Sequence, residues 1–152
     1  MSSLPPGRLL FDTGIYIRYS WGSDYAWLGD DARVFQRTIL SAVVAAELYA
    51  GARDHREKRL LDELCRAHRA LGHFSFPPAD AWIDTGILLR RSRSTFGPMD
   101  FAHHFRDLLI ALEAARADAT LVTQNLRDFA RWRSLLASTR KTLRLFNPSH
   151  AT

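Results

Sequence analysis

Cysteine is nearly missing from these 152 residues; Cys65 is the only one. That excludes an internal disulfide and fits a reducing cytoplasm, where we expect the protein to act. Long apolar runs are missing as well. None approaches the roughly 20 residues that cross a bilayer, so no membrane partner is expected. Met1 to Gly7 lacks a basic segment followed by an apolar one, and no secretory signal is expected there. No internal repeat, low-complexity tract or linker interrupts the chain. We therefore expect a single domain over residues 1–152, long enough to bury a proper core.

Lysine is scarce too. Lysine and arginine total 21 against 16 acids, a net charge of +5, and nearly all of the bases are arginine. Arginine matches phosphate with a fork of donors, and a basic chain is drawn to polyanions such as nucleic acid. A basic surface kept for solubility, or for an acidic protein partner, satisfies the same count. Charge alone leaves the partner open. The hydrophobic fraction of 47% is ordinary for a globular protein.

Strands and helices alternate along the chain. Leu9 to Phe11 reads as a short buried strand, with a short helix from Gly14 to Tyr19. Trp21 to Asp31 reads as an aromatic loop or irregular helix, and Arg37 to Leu40 as a second strand. Ser41 is the expected N-cap of a helix through Ala50, stopped by Gly51. A helical stripe of Leu60, Leu61, Leu64, His68 and Leu71 predicts a helix from Asp54 that ends at Gly72. His73 to Phe76 predicts a third strand, closed by Pro77-Pro78. The next helix carries Trp82, Ile83, Gly86 and Ile87 on one face. Phe105 to Ala117 predicts a strong helix, Thr120 to Thr123 a strand, Asn125 to Trp132 a short helix, and Leu143 to Phe146 a last strand. This alternation argues for a parallel α/β sheet.

Three acids stand out because the run or helix face that carries each is otherwise largely apolar. Asp12 is the only charge in LLFDTGIYI, at the carboxyl end of the first strand, where open α/β sheets bind ligands. It can equally cap the helix that follows. Glu47 is the only charged residue between Arg37 and Arg53, and a carboxylate among Val43, Val44 and Ala50 costs free energy unless a cation pairs with it. Asp107 shares a helix with the stripe Phe105, Leu108, Leu109 and Leu112 but points away from it, beside Ile110, Ala111 and Ala114. That second face is small and apolar, so Asp107 is expected where water is scarce, unless an arginine neutralises it. In ATLVTQNLRDF, a strand delivers Thr123 and Asn125 to its carboxyl end. Asn125 can be a plain N-cap, with Asp128 favouring the helix dipole.

Carboxylates that converge repel one another, so the constellation requires a counter-cation. Hard oxygen ligands select Mg²⁺ or Mn²⁺. Such an ion stabilises the charge that builds on a phosphate during in-line displacement. An acidic pocket in a basic protein suits cleavage of a polyanion.

LLFDTGIYI, SAVVAAELYAGA, RDLLIALEAARADATLVTQNLRDF and LRLFNP, in this order, resemble the PIN-domain family, in particular the VapC-type toxins of bacterial toxin–antitoxin pairs. The resemblance covers about Leu9 to Pro148. It implies a three-layer α/β/α fold around a parallel sheet of about four or five strands. It also implies a ribonuclease using Mg²⁺ or Mn²⁺, a homodimer, and a cognate antitoxin that holds the toxin inactive. The aromatic segment Trp21 to Trp27 or the two central helices are candidate antitoxin surfaces. Residue by residue, Asp12 and Asp107 match metal ligands, Glu47 the second acid, and Thr123 a hydroxyl lining the site beside Thr13. Asn125 departs from the pattern, because many relatives carry a fourth acid there; Asp128, one turn on, is a candidate to compensate. Asp100, His103 and His104 ahead of the third acid are unusual, and we leave them out of the expected site.

The expected activity is hydrolysis of an RNA phosphodiester by an activated water, with Asp12, Glu47, Asp107 and Asn125 carrying the chemistry and Thr13, Thr123 and Asp128 contacting substrate. The alternative is a weak or inactive PIN-like module that binds RNA or a protein without cutting, which the missing fourth acid permits. A phosphoacceptor or phosphatase with Asp12 as nucleophile fits less well. A dehalogenase-like enzyme wants a second Asp two residues later, where Gly14 stands, and a receiver-like domain wants an acidic pair that is not evident.

Overall fold

Leu9, Leu10 and Phe11 carry no polar side chain, and a strand made of them belongs where both sheet faces are covered. The computed structural model describes residues 4–20, 22, 24–98 and 100–150. It places them in β1 (Arg8–Phe11), the centre of a five-stranded sheet ordered β3-β2-β1-β4-β5. The other strands are β2 (Thr38–Ser41), β3 (Phe74–Ser75), β4 (Ala119–Val122) and β5 (Arg144–Phe146), and every pairing is parallel. Every residue of β2 and β4 is buried, as a sheet covered on both faces requires.

The helices between the strands are α1 (Thr13–Ser20), α2 (Trp27–Asp30), α3 (Ala32–Gln36), α4 (Ala42–Ala50), α5 (His55–Ala70), α6 (Ala79–Phe96), α7 (Phe101–Arg116) and α8 (Leu126–Ala137). Their ends follow local chemistry. Ser41 caps α4 by accepting from the Val43 N–H at 3.1 Å, and Asp54 caps α5 by accepting from the Glu57 N–H at 2.8 Å. Gly72 follows α5 with φ +70°, a conformation that suits glycine. The five-residue α3 is too short to leave a periodic signal and was not expected.

Two expected faces are corrected. In α6, Trp82, Ile83 and Ile87 are exposed, at 48%, 65% and 49%. The helix instead buries Ala81, Thr85, Leu88, Leu89 and Ser92. Both sets have helical spacing, and packing against α7 selects the set with more small residues. Along the stripe of α5 and its C-cap, Leu60 and Leu71 are exposed while Cys65 and His68 are buried. His68 is tolerated inside because its Nδ1 lies 2.9 Å from the Leu64 carbonyl oxygen. Of the aromatic segment, Trp21 and Ser23 lie outside the described residues. Trp27 turns inward onto Phe11, with ring centroids 5.6 Å apart. α7 is covered on both sides, as expected: Leu108, Leu109, Leu112, Ile110, Ala111 and Ala114 are all buried.

Candidate active site

The site begins with register. Phe11 pairs with Val122, and the Asp12 N–H donates to the Val122 carbonyl at 3.0 Å. One step further along, the Thr123 hydroxyl donates to Asp12 Oδ2 at 2.8 Å. From β1 the chain adds β2 and β3 on one side, while β4 and β5 lie on the other. Asp12 and Thr123 therefore sit at the switch point of the sheet, outside the carboxyl ends of its strands, where such folds bind ligands.

Helices bring in the other acids. Thr13, the first residue of α1, donates its N–H to Asp12 Oδ1 at 2.8 Å and its hydroxyl to Glu47 Oε2 at 2.7 Å. The Asp12 side chain is thus engaged by the very next N–H rather than capping deeper in the helix. α4 carries Glu47 and packs against both α1 and α7. α7 carries Asp107, which is only 2% exposed.

A guanidinium sits among these acids. Arg106 donates to Asp107 Oδ1 from Nη2 at 3.0 Å and from Nε at 3.2 Å, and to Glu47 Oε2 from Nη1 at 3.1 Å. Its Nε also lies 3.1 Å from Glu47 Oε1, but out of line for a hydrogen bond, so that oxygen is left without a partner. The arginine that can neutralise Asp107 is therefore its own neighbour. Burial pushes the Asp12 carboxyl above the usual aspartate range; its two hydrogen bonds and Arg106 oppose this, and Asp107 adds to it. Burial raises Glu47 as well, against Thr13 and Arg106, with Asp12 and Asp107 repelling its charge.

These residues fit a divalent cation. Three carboxylates face one guanidinium, which leaves negative charge in excess. Asp107 Oδ2 is buried with no hydrogen-bond partner, an arrangement that costs about 1–3 kcal/mol when nothing pairs with the oxygen. Oxygen-only donors of this kind select Mg²⁺ or Mn²⁺.

Asn125 and Asp128 stand at the margin. The Asn125 N–H donates to Thr123 Oγ1 at 3.0 Å, but its side chain makes no capping bond. Asn125 Nδ2 donates instead to Asp128 Oδ2 at 3.0 Å. Thr123 links the pair to the acids. Glu113 was missed. It is 4% exposed in α7 and accepts from the Ser41 hydroxyl at 2.5 Å, and burial raises its pKa. Its isolation in LLIALEAA is the same signal that singled out Glu47. A separate cleft of about 490 Å³, lined by residues that include Tyr49, Asp62, Cys65, Arg66 and Phe74, contains none of these acids. The acids are the candidate site: they converge, and Glu47 Oε1 and Asp107 Oδ2 are buried without a hydrogen-bond partner.

No family model matches the chain, and no curated protein is similar to it in sequence. Solved structures are similar in fold. A chain of the VapBC2 structure from Rickettsia felis, bound to a DNA fragment from their promoter, matches with a TM-score of 0.59 at 20% identity, covering 91% of this chain and 97% of that one. FitAcB from Neisseria gonorrhoeae matches with a TM-score of 0.63 at 22% identity, covering 93% and 99%. DNA-bound VapBC from Salmonella typhimurium matches with a TM-score of 0.63 at 18% identity, covering 94% and 99%. The fold is thus the PIN-like three-layer α/β/α arrangement that the motifs imply.

Proposed function

We propose that this protein is a metal-dependent endoribonuclease and the toxin of a toxin–antitoxin pair. The observation that carries this is the acid cluster itself: Asp12, Glu47 and Asp107 arrive from three separate segments at the switch point of a PIN-like sheet, with more negative charge than Arg106 offsets. The structures it resembles are of VapBC and FitAB complexes, which supports an antitoxin partner. Among the described residues no helix is long and apolar enough to cross a membrane.

Asp12 and Asp107 would hold Mg²⁺ or Mn²⁺, with Glu47 beside them. The ion, when bound, supplies Lewis-acid polarisation of a phosphodiester and activation of water. Thr13 and Thr123 fix the carboxylates: each spends its hydroxyl proton on an acid, so Asp12 and Glu47 are held in one orientation. Glu47, raised in pKa and less buried than Asp107, would take a proton from the attacking water. Arg106, 43% exposed, can turn its fork from Asp107 to a substrate phosphate, a geometry that guanidinium matches. Asn125 and Asp128 would line the substrate side. The proposed homodimer and single-domain organisation follow the same family resemblance.

One specific observation favours a non-cutting RNA-binding module: the fourth position is Asn125, and Asn125 is bonded to Asp128. The test is incubation of a mixed cellular RNA pool with the purified chain, in Mg²⁺ or Mn²⁺ and in EDTA, beside Asp12→Ala. Cuts that need metal and vanish in the variant are expected. RNA retention without cuts, in a folded protein that binds Mg²⁺, would move the assignment to the binding module.

A further inference from the structure

We propose that His103, His104 and Asp107 form a second cation site, for a Zn²⁺-class transition-metal ion, beside the acid pocket and sharing Asp107 with it. The spacing makes this possible. His103 and His104 precede Asp107 in α7 by four residues and three, and side chains at those separations meet on one helix face. In the structure one ligand atom from each of the three lies within 4.8 Å of the others. The two imidazoles meet edge to face, with centroids 5.0 Å apart.

Two unpaired atoms point to a ligand independently of the spacing. Arg106 bonds Asp107 through Oδ1 alone, and Asp107 Oδ2 is buried without a partner. His104 Nδ1 is likewise buried without a partner. The His104 ring is held in place by Trp132, with centroids 5.4 Å apart, so it is oriented by packing rather than by hydrogen bonds. Buried polar atoms left this way cost free energy that a cation would recover.

The donor set decides the ion. Two imidazole nitrogens and one carboxylate oxygen suit Zn²⁺ and its neighbours, whereas Mg²⁺ prefers oxygen throughout. Three protein ligands also leave a coordination position open for water or a phosphate oxygen. Residence of the ion stands on these three side chains alone; any part it plays in phosphodiester cleavage rests on the reading of the acid pocket above.

The test is equilibrium binding of Zn²⁺ alone to the purified full-length chain, followed by competition against Co²⁺ absorption, beside Mg²⁺ binding to the same samples. The structure predicts one Zn²⁺ per chain. His103→Ala, His104→Gln and Asp107→Asn each weaken it by about tenfold or more, and Asp12→Asn leaves it unchanged while weakening Mg²⁺. His103 is exposed, so His103→Ala keeps the test valid if His104→Gln unfolds. Zn²⁺ affinity unchanged in His103→Ala, or reduced there but untouched by Asp107→Asn, overturns the site. Should the Zn²⁺ pattern hold while Mg²⁺ binds nowhere, the acid-pocket reading fails and this site stands.

Discussion

At the scale of single residues, the site holds carboxylates where they repel each other. Asp12 and Glu47 have pKa values above their ordinary 3.8 and 4.5, first because of burial. Each therefore binds its proton more tightly in the native chain than in the unfolded one. The stability this carries is complete below the unfolded values and is lost as pH rises through the folded ones. Without metal, the contribution of these two groups should grow as pH drops through their raised folded values, while Mg²⁺ affinity falls over that same interval. Thermal melts across pH, with and without Mg²⁺, check both slopes. Asp12→Asn removes one charge from the cluster at little cost in shape. Its metal-free melting temperature should rise by about 2–4 °C, the shift expected for ~1 kcal/mol in a chain of this size, and its Mg²⁺ affinity should collapse. Arg106→Ala should do the reverse: a lower metal-free melting temperature and tighter Mg²⁺ binding, because the guanidinium no longer competes for Asp107 and Glu47. Equal melting temperatures for Arg106→Ala and wild type would show that the pair is no more than a surface contact.

At the scale of elements, α7 does the most. It buries Leu108 to Leu112 without a gap, delivers Asp107 to the site, and holds Glu113 against Ser41 in the core. Leu112→Ala should cost about 2–5 kcal/mol, measured by denaturant unfolding. Glu113→Gln keeps an acceptor for the Ser41 hydroxyl and should leave Mg²⁺ affinity unchanged; a loss of affinity would extend the site along the helix. α6 makes the opposite case. Ile83 is 65% exposed, so Ile83→Arg should change stability by no more than about 0.5 kcal/mol, whereas Leu89→Ala, in the core, should cost several times that. Equal costs would restore the face read from the sequence.

The three acids were legible in the sequence because a lone charge in an apolar run has few inexpensive explanations. The strand ends were legible for a related reason: LLF and TLV are too short and too apolar to be anything but covered strands. What was not legible depended on tertiary choice. α6 offers two helical stripes, and only its neighbour selects Ala81, Thr85 and Leu88 over Trp82, Ile83 and Ile87. Arg106 escaped notice because adjacent residues on a helix do not normally face each other; here its long side chain doubles back to Asp107. Asn125 and Asp128 stand at the spacing of neighbours on a helix, but nothing in the sequence said that Asn125 would bond Asp128 rather than the acids.

At the scale of the whole molecule, a chain with an excess of basic residues carries an acidic cluster. The chain carries a net +5, yet Asp12, Glu47 and Asp107 gather at one point of the sheet. In the proposed activity the positive charge would draw a polyanion in, and the acidic centre would accept it only with a cation in place. Equilibrium binding of Mg²⁺ to the wild-type chain and to Asp12→Asn, at neutral pH, tests this most directly. Saturable binding to the wild type is expected, weakened by about tenfold or more in the variant. Equal affinity in the two, or no binding to a folded wild type, would contradict it.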